Sequence, residues 1–142
     1  MQANSRVTAY LARALNHEMN VVQQYLAQAS LCELWGMEKQ ADAFRRDAGE
    51  ELGHAGRLIR RMLSLGQVPN STLLEPVRPG RDYREMLELD MRLEAEAVRL
   101  YDEAVHSSRR FRDMESAELF AALLQDEQEH LECLQRMLNS AV

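Results

Sequence analysis

All three prolines of this chain lie in one segment, residues 66–81, which reads GQVPNSTLLEPVRPGR. Outside that segment apolar residues recur at three- and four-residue steps, as in VTAYLARAL and VVQQYLAQASLCELW, and strand-like alternation is missing. The pattern predicts an all-α chain with helices over about residues 5–35, 38–65, 82–110 and 114–139. Gly36 and Gly66 stand where the first two helices are expected to end, and DYRE at residues 82–85 is typical of a helix N-terminus.

The connections between these helices are short, long and short, which limits how the helices can pack. Short connections make the first pair and the last pair antiparallel hairpins. A helix of about 30 residues is about 45 Å long. The proline-containing segment reaches about 53 Å when extended, enough to run the length of a bundle. We therefore expect one domain, residues 1–142, folded as an up-down-down-up four-helix bundle with one long crossover.

Composition limits the partners that the chain is expected to have. Its 142 residues carry a net charge of −6, which argues against a nucleic-acid partner. The N-terminal residues contain no apolar run of the length that a signal peptide or a membrane span requires. The two cysteines, Cys32 and Cys133, form no CxxC pair. We expect a cytoplasmic protein with no nucleic-acid partner and no membrane partner.

A Glu-x-x-His motif occurs twice, in EELGHAG and in QDEQEHL, and the two copies are 76 residues apart. Four pairs of residues share this offset: Glu18 and Glu94, Tyr25 and Tyr101, Glu51 and Glu127, and His54 and His130. A single Glu-x-x-His motif in a helical chain is usually a solvated helix face. Its repetition with a glutamate and a tyrosine at one offset indicates two halves of a single site.

The chemistry of these residues explains why they belong together. Four carboxylates and two imidazoles inside a bundle are too costly to bury unless cations compensate them. The i, i+3 spacing directs the glutamate and the histidine of each motif to one helix face. Oxygen-rich ligands with one nitrogen for each metal suit iron or manganese, and they leave positions open for oxygen or peroxide. The pattern therefore predicts a site for two metal ions.

This ligand set is the one described for ferritin-like di-iron carboxylate proteins. The chain resembles the bacterioferritin family over residues 5–139, nearly its full length. The resemblance is carried by NHEMNVVQQY, EELGHAGRLIRRMLSLGQVPN, LELDMRLE and LLQDEQEHLE. It implies a ferroxidase, an enzyme that oxidises Fe(II) to Fe(III) with O2 or H2O2 at two irons within one subunit. It also implies mineral storage inside a 24-subunit shell. The implied ligand roles are terminal for Glu18 and Glu94, bridging for Glu51 and Glu127, and nitrogen-donating for His54 and His130.

Three features depart from the family's pattern. The family's haem ligand, a methionine directly after the bridging glutamate, is replaced by Leu52, so haem is not expected. The family's inner-surface histidine is replaced by Arg46, with Glu50 in place of an aspartate, so the usual route from the site to the cavity lacks this ligand. The chain ends twelve residues after His130, so the family's short fifth helix is not expected. A dimer or a smaller oligomer therefore stands beside the shell as an expectation.

Two questions stay open at the level of the sequence. Tyr25 and Tyr101 are either ordinary core tyrosines or catalytic residues that hydrogen-bond the bridging carboxylates and supply an electron. Asp126 and Glu50, which also share the offset of 76, are expected to orient the two histidines. The alternative function is a non-storage ferritin-like di-metal oxidase, or a metal-stabilised interaction module that forms a dimer or small oligomer.

Overall fold

The structure, a computed structural model, describes residues 3–71 and 73–140. It consists of four helices: α1 (Ser5–Leu34), α2 (Glu38–Ser64), α3 (Tyr83–Arg110) and α4 (Met114–Ser140). The described residues contain no β-strand, and the expected up-down-down-up four-helix bundle is confirmed. None of the helices described has a stretch long and apolar enough to cross a membrane.

Local signals place the ends of these helices. The side chain of Asn4 caps α1 by accepting hydrogen bonds from two backbone N–H groups of the first turn. Asp82 caps α3 in the same way, and its Oδ1 atom accepts a hydrogen bond of 2.8 Å from the backbone N–H of Glu85. Gly36 and Gly66 follow α1 and α2 with φ angles of 77° and 76°. Only glycine adopts these left-handed angles without a steric penalty, so both helices end there.

The helices pack as two hairpins, α1 with α2 and α3 with α4, and the hairpins meet mainly through α1 and α3. Helices α2 and α4 contact each other only sparsely. One apolar cluster, which includes Leu11 and Phe120, fills one end of the bundle. A second cluster, which includes Phe44 and Met86, fills the other end. Between them lies a layer of buried polar residues, and this layer contains the expected site.

The crossover, residues 66–81, is held against α1 by a row of amide side chains spaced four residues apart. The row consists of Asn16, Asn20, Gln24 and Gln28. The amide of Asn16 donates to the carbonyl of Leu73 at 2.7 Å and accepts from the N–H of Leu73 at 3.1 Å. Gln24 pairs with the backbone of Arg78 in the same two ways. This amide row satisfies backbone groups of the crossover and fixes its position along α1.

Candidate metal centre

The structure brings the six residues of the expected site together in the middle of the bundle. Helices α1 and α3 each contribute one glutamate, and α2 and α4 each contribute a Glu-x-x-His pair. The residues are Glu18, Glu51, His54, Glu94, Glu127 and His130. The four glutamates are no more than 1% exposed and His54 is 7% exposed, while the side chain of His130 is 11% exposed. The six side chains are therefore almost completely buried.

The side chains form two overlapping groups whose ligand atoms lie within 4.8 Å of one another. The first group is Glu18, Glu51, His54 and Glu127, and the second is Glu51, Glu94, Glu127 and His130. Glu51 and Glu127 belong to both groups, whereas each group has its own further glutamate and its own histidine. This division would suit two neighbouring cations, each with its own glutamate and histidine and both within reach of Glu51 and Glu127.

Each histidine directs its Nδ1 atom into the site. The Nδ1 atom of His54 lies 3.0 Å from Oε1 of Glu127 and 3.6 Å from Oε2 of Glu18. The Nδ1 atom of His130 lies 3.4 Å from Oε1 of Glu94. Both imidazoles therefore present the same ring nitrogen to the space between the carboxylates, where a cation would bind.

The outward nitrogen of each histidine faces an aspartate. As expected, Asp126 lies beside His54, and the distance from His54 Nε2 to Asp126 Oδ2 is 3.1 Å. The corresponding expectation for Glu50 is wrong, because Glu50 is exposed and Asp47 takes its place. His130 Nε2 lies 3.4 Å from Asp47 Oδ2. A carboxylate beside the outward nitrogen orients the ring and makes the inward nitrogen a better metal ligand.

The repeat could not reveal Asp47, because the residue 76 positions further along the chain is Leu123. Asp47 lies four residues before Glu51 and therefore on the same face of α2. Glu50 precedes Glu51 just as Asp126 precedes Glu127, so the rotation of one residue about the helix axis does not by itself exclude Glu50. The signal that could have identified Asp47 is thus the helical period counted back from Glu51.

The two tyrosines bind different carboxylates from those expected. The hydroxyl of Tyr101 donates to Oε1 of Glu18 at 2.6 Å, and that of Tyr25 donates to Oε1 of Glu94 at 2.5 Å. These acceptors are the expected terminal ligands, so the expectation that the tyrosines bond the bridging carboxylates is wrong. Each tyrosine lies about 10.5 Å along its helix from the glutamate seven residues before it. Because α1 and α3 run antiparallel, each tyrosine instead reaches the glutamate of the other helix.

The donor atoms of the site provide a test of whether metal ions fit it. Six inward atoms are buried and have no hydrogen-bond partner among the described residues: Glu18 Oε2, Glu51 Oε2, Glu94 Oε2, Glu127 Oε1, His54 Nδ1 and His130 Nδ1. A buried polar atom without a partner costs about 1–3 kcal/mol, and more when it is charged. Cations bound among the carboxylates would satisfy all of these atoms together. The donor set therefore fits two metal ions.

Burial also changes the proton affinities of the site. Burial raises the pKa of Glu18 to about 8, and the neighbouring Glu51 adds to the shift. Burial by itself lowers the pKa of His54, but the nearby carboxylates of Glu18 and Glu51 outweigh burial and raise this pKa to about 10. Burial also acts to lower the pKa of His130, but the nearby carboxylates of Asp47 and Glu51 outweigh it, so the pKa of His130 is raised as well. At neutral pH the metal-free site therefore holds protons that cations would displace.

A cleft of about 600 Å³ opens onto the site between α2 and α4. Its floor contains both histidines and the two shared glutamates, and its rim is acidic, with Asp47, Glu50, Asp126 and Glu129. Arg57 also lies on this rim, 3.8 Å from Asp126. The sparse contact between α2 and α4 leaves this opening, and the excess of carboxylates favours the approach of cations.

Two of the residues that depart from the family's pattern, Leu52 and Arg46, lie on the outside of α2. Leu52 is 54% exposed, and Arg46 is exposed as well. Neither residue belongs to the two groups of ligand atoms. The substitutions at these positions therefore leave the composition of the candidate centre unchanged.

Known proteins resemble this chain in both sequence and structure. Residues 8–141 match the family model of the ferritin-like domain. The bacterioferritin of Rhodobacter capsulatus is 35% identical over 139 residues, which cover 98% of this chain and 86% of that protein. The bacterioferritin of Brucella melitensis is 32% identical over the same share of each chain.

The solved structure of Rhodobacter capsulatus bacterioferritin is described with a metal-free dinuclear site and haem iron. It matches this fold with a TM-score of 0.95 at 35% sequence identity, covering 98% of this chain and 87% of that one. The likeness thus extends over all four helices and over the layer that contains the candidate centre.

Proposed function

This chain belongs to the bacterioferritin family, and we propose that it acts as a ferroxidase. It oxidises Fe(II) to Fe(III) with O2 or H2O2 and serves iron storage or detoxification. The observation that carries this proposal is the convergence of six buried side chains whose inward atoms have no hydrogen-bond partner among the described residues. Bound cations would compensate the cost of burying these charges.

In the proposed site, Glu51 and Glu127 would be shared by two metal ions, because both residues belong to both groups of ligand atoms. The remaining ligands divide between the two positions, Glu18 with His54 at one and Glu94 with His130 at the other. Oxygen-rich ligands with one nitrogen per metal suit iron, and manganese would find the same donors. When bound, two irons supply the redox chemistry that passes electrons to O2 or H2O2.

The surrounding residues hold these ligands in position. The hydroxyls of Tyr25 and Tyr101 fix one oxygen of Glu94 and of Glu18 and leave the other oxygen of each free to face a cation. We include both tyrosines among the catalytic residues: each would supply one electron to O2 or H2O2 and pass its hydroxyl proton to the carboxylate that it bonds, Glu94 for Tyr25 and Glu18 for Tyr101. Their burial beside the ligands supports this role.

Fe(II) enters this site through the cleft between α2 and α4. The acidic rim attracts divalent cations from solution, and the floor of the cleft presents the two shared glutamates and both histidines. Fe(II) bound there exchanges its water ligands for carboxylates and imidazoles. The acidic cleft therefore favours cations over neutral and negatively charged solutes, and the carboxylates and imidazoles then favour metal ions such as Fe(II).

The proposal extends to haem, assembly and location. Leu52 offers no lone pair, so we propose that residue 52 binds no haem iron. The chain works as a cytoplasmic homo-oligomer, either a 24-subunit shell or a dimer. A single chain has a mass of 16.3 kDa, so light scattering separates the two assemblies without ambiguity.

The variant Glu127→Ala tests the proposed function. Glu127 belongs to both groups, so its removal takes one ligand from each metal and leaves an excess of positive charge. We expect the variant to oxidise Fe(II) at close to the protein-free rate, measured by the absorbance of Fe(III). Glu132→Ala, which changes an exposed glutamate on the same helix, should keep the parent rate. The proposal fails if Glu127→Ala oxidises Fe(II) as fast as the parent.

A further inference from the structure

The two halves of the bundle differ at one buried polar pair. Gln28 on α1 and Asp90 on α3 are fully buried, and Gln28 Nε2 donates to Asp90 Oδ1 at 2.8 Å. At the offset of 76 residues their counterparts are Ala104 and Ala14, which are also fully buried. The hydrogen-bonded pair therefore exists in the half that contains Glu94, and alanines replace it in the half that contains Glu18.

This pair lies next to the hydrogen bond between Tyr25 and Glu94. Gln28 follows Tyr25 by three residues on α1, and Asp90 precedes Glu94 by four residues on α3, so each lies on the same helix face as its neighbour. Gln28 Nε2 also lies 3.0 Å from the carbonyl oxygen of Pro79 in the crossover. The pair thus connects α1, α3 and the crossover at one level of the bundle.

The hydrogen bonding of the pair is incomplete without a proton. Gln28 Oε1 and Asp90 Oδ2 are buried acceptors that lack a partner among the described residues. A single proton on Asp90 supplies the missing donor, because a carboxylic acid and an amide form two hydrogen bonds side by side. Burial raises the pKa of Asp90 well above its usual range, which favours the same protonated form.

We propose that Asp90, buried as the neutral acid and hydrogen-bonded to Gln28, positions Glu94 and so makes the Glu94–His130 half of the site bind metal more tightly than it would without the pair. This inference rests on the proposed metal site. Asp90 and Gln28 act as positioning residues, since they anchor α3 to α1 one turn from Glu94 and limit the movement of its carboxylate. The alanines of the other half provide no such anchor for Glu18.

Co(II) binding to single halves of the site tests this inference. His54→Ala removes a ligand of the Glu18 half and leaves the Glu94–His130 half complete, and His130→Ala does the reverse. Asp90→Ala should weaken Co(II) binding about threefold to tenfold in the His54→Ala background. In the His130→Ala background it should change the affinity by less than about twofold. A merely structural role would weaken both halves equally.

Two further variants separate the neutral acid from other roles of Asp90. Asn offers the same donor and acceptor as a protonated Asp, so Asp90→Asn should keep the parent affinity in both backgrounds. The infrared difference spectrum between the parent and Asp90→Asn should contain the carboxylic-acid carbonyl band of Asp90, because a proton on Glu18 is common to both proteins and cancels. Asn20→Ala is the matched control, because it removes another amide that binds the crossover, at Glu75. This control should leave the Co(II) affinity of both halves unchanged. If Asp90→Ala does not fold, Gln28→Ala makes the same test from α1.

The inference is overturned if Asp90→Ala weakens Co(II) binding equally in both halves, or if it weakens Co(II) binding in neither. It is also overturned if Asp90→Asn lowers the Co(II) affinity as much as Asp90→Ala does. Absence of the Asp90 carboxylic-acid band from the infrared difference spectrum would overturn the inference too. A parent that binds no Co(II) would refute the proposed metal site and the inference with it. A parent that binds Co(II) without a difference between the variants would refute the inference alone.

Discussion

Replacing Tyr25 with Phe isolates the contribution of one buried hydroxyl beside the candidate centre. The ring of Tyr25 packs against Phe44, with ring centroids 6.2 Å apart, and against His130, with centroids 5.7 Å apart. Phe keeps this packing and removes only the O–H group that donates to Glu94 Oε1 at 2.5 Å. Because both residues are fully buried, no water replaces the lost donor.

The structure sets the size of the expected effect. Hydrogen bonds to charged groups contribute about 1.5–3 kcal/mol, and the loss leaves one more carboxylate oxygen without a partner. We expect the free energy of unfolding of the metal-free Tyr25→Phe protein, measured in urea, to fall by about 2 kcal/mol with an unchanged m value. For a domain of this size the melting temperature should fall by about 5 °C.

The same variant should keep the first step of the proposed reaction. Glu94 Oε2, the oxygen that faces the site, is not bonded to Tyr25, so two metals should still bind. The first pair of Fe(II) ions should be oxidised at close to the parent rate. Later turnover should slow if the hydroxyl supplies an electron, as we propose.

Tyr10→Phe is the matched control for this prediction. Tyr10 is half-buried and its hydroxyl lies outside the candidate centre, so the same chemical change should cost less than about 0.5 kcal/mol. Equal urea midpoints for the two variants would show that the bond between Tyr25 and Glu94 contributes nothing to stability. Loss of the first Fe(II) oxidation in Tyr25→Phe would show that the hydroxyl acts on the metals directly.

Two further predictions follow from the protons and the surface of the site. The pKa of Glu18 is raised to about 8 and that of His54 to about 10, and the pKa of His130 is raised as well. Co(II) binding near pH 7 should therefore release protons in a pH-stat, and the affinity for Co(II) should increase as the pH rises and protons compete less. Binding without proton release would contradict this. Because Leu52 offers no lone pair, protein purified with haem available should show no stoichiometric haem absorption; a six-coordinate spectrum with about one haem per two chains would contradict this.

The four-helix fold was predictable from the sequence because helical periodicity and the position of the prolines act along the chain. The approach of Glu18 to Glu94 was predictable for a related reason. Residues 76 positions apart occupy equivalent helix faces in the two similar hairpins. The repeat therefore indicates which side chains converge, although it gives no distances between them. Whether these side chains bind metal stays a prediction.

The neighbours of the ligands were less predictable, because they depend on which helices meet. The repeat correctly paired Tyr25 with Tyr101, yet the choice of acceptor depended on the antiparallel packing of α1 and α3. The same limit applies to Asp47, which contacts His130 across the cleft between α2 and α4. A pattern along one helix indicates a face, and only the packing of that face against another helix selects the partner.

The difference between the two halves has a physical origin in the connectivity of the chain. Two equivalent hairpins joined by a single crossover cannot remain equivalent, because the crossover must lie against one of them. Here it lies along α1, where Gln28 meets the carbonyl of Pro79, whereas the corresponding residue of α3, Ala104, has no side-chain amide that could make such a bond. The offset of 76 residues therefore predicts what the halves share, and the crossover determines where they differ. If the pair of Gln28 and Asp90 sets the affinity of one metal position, the asymmetry of the connection becomes an asymmetry of the site.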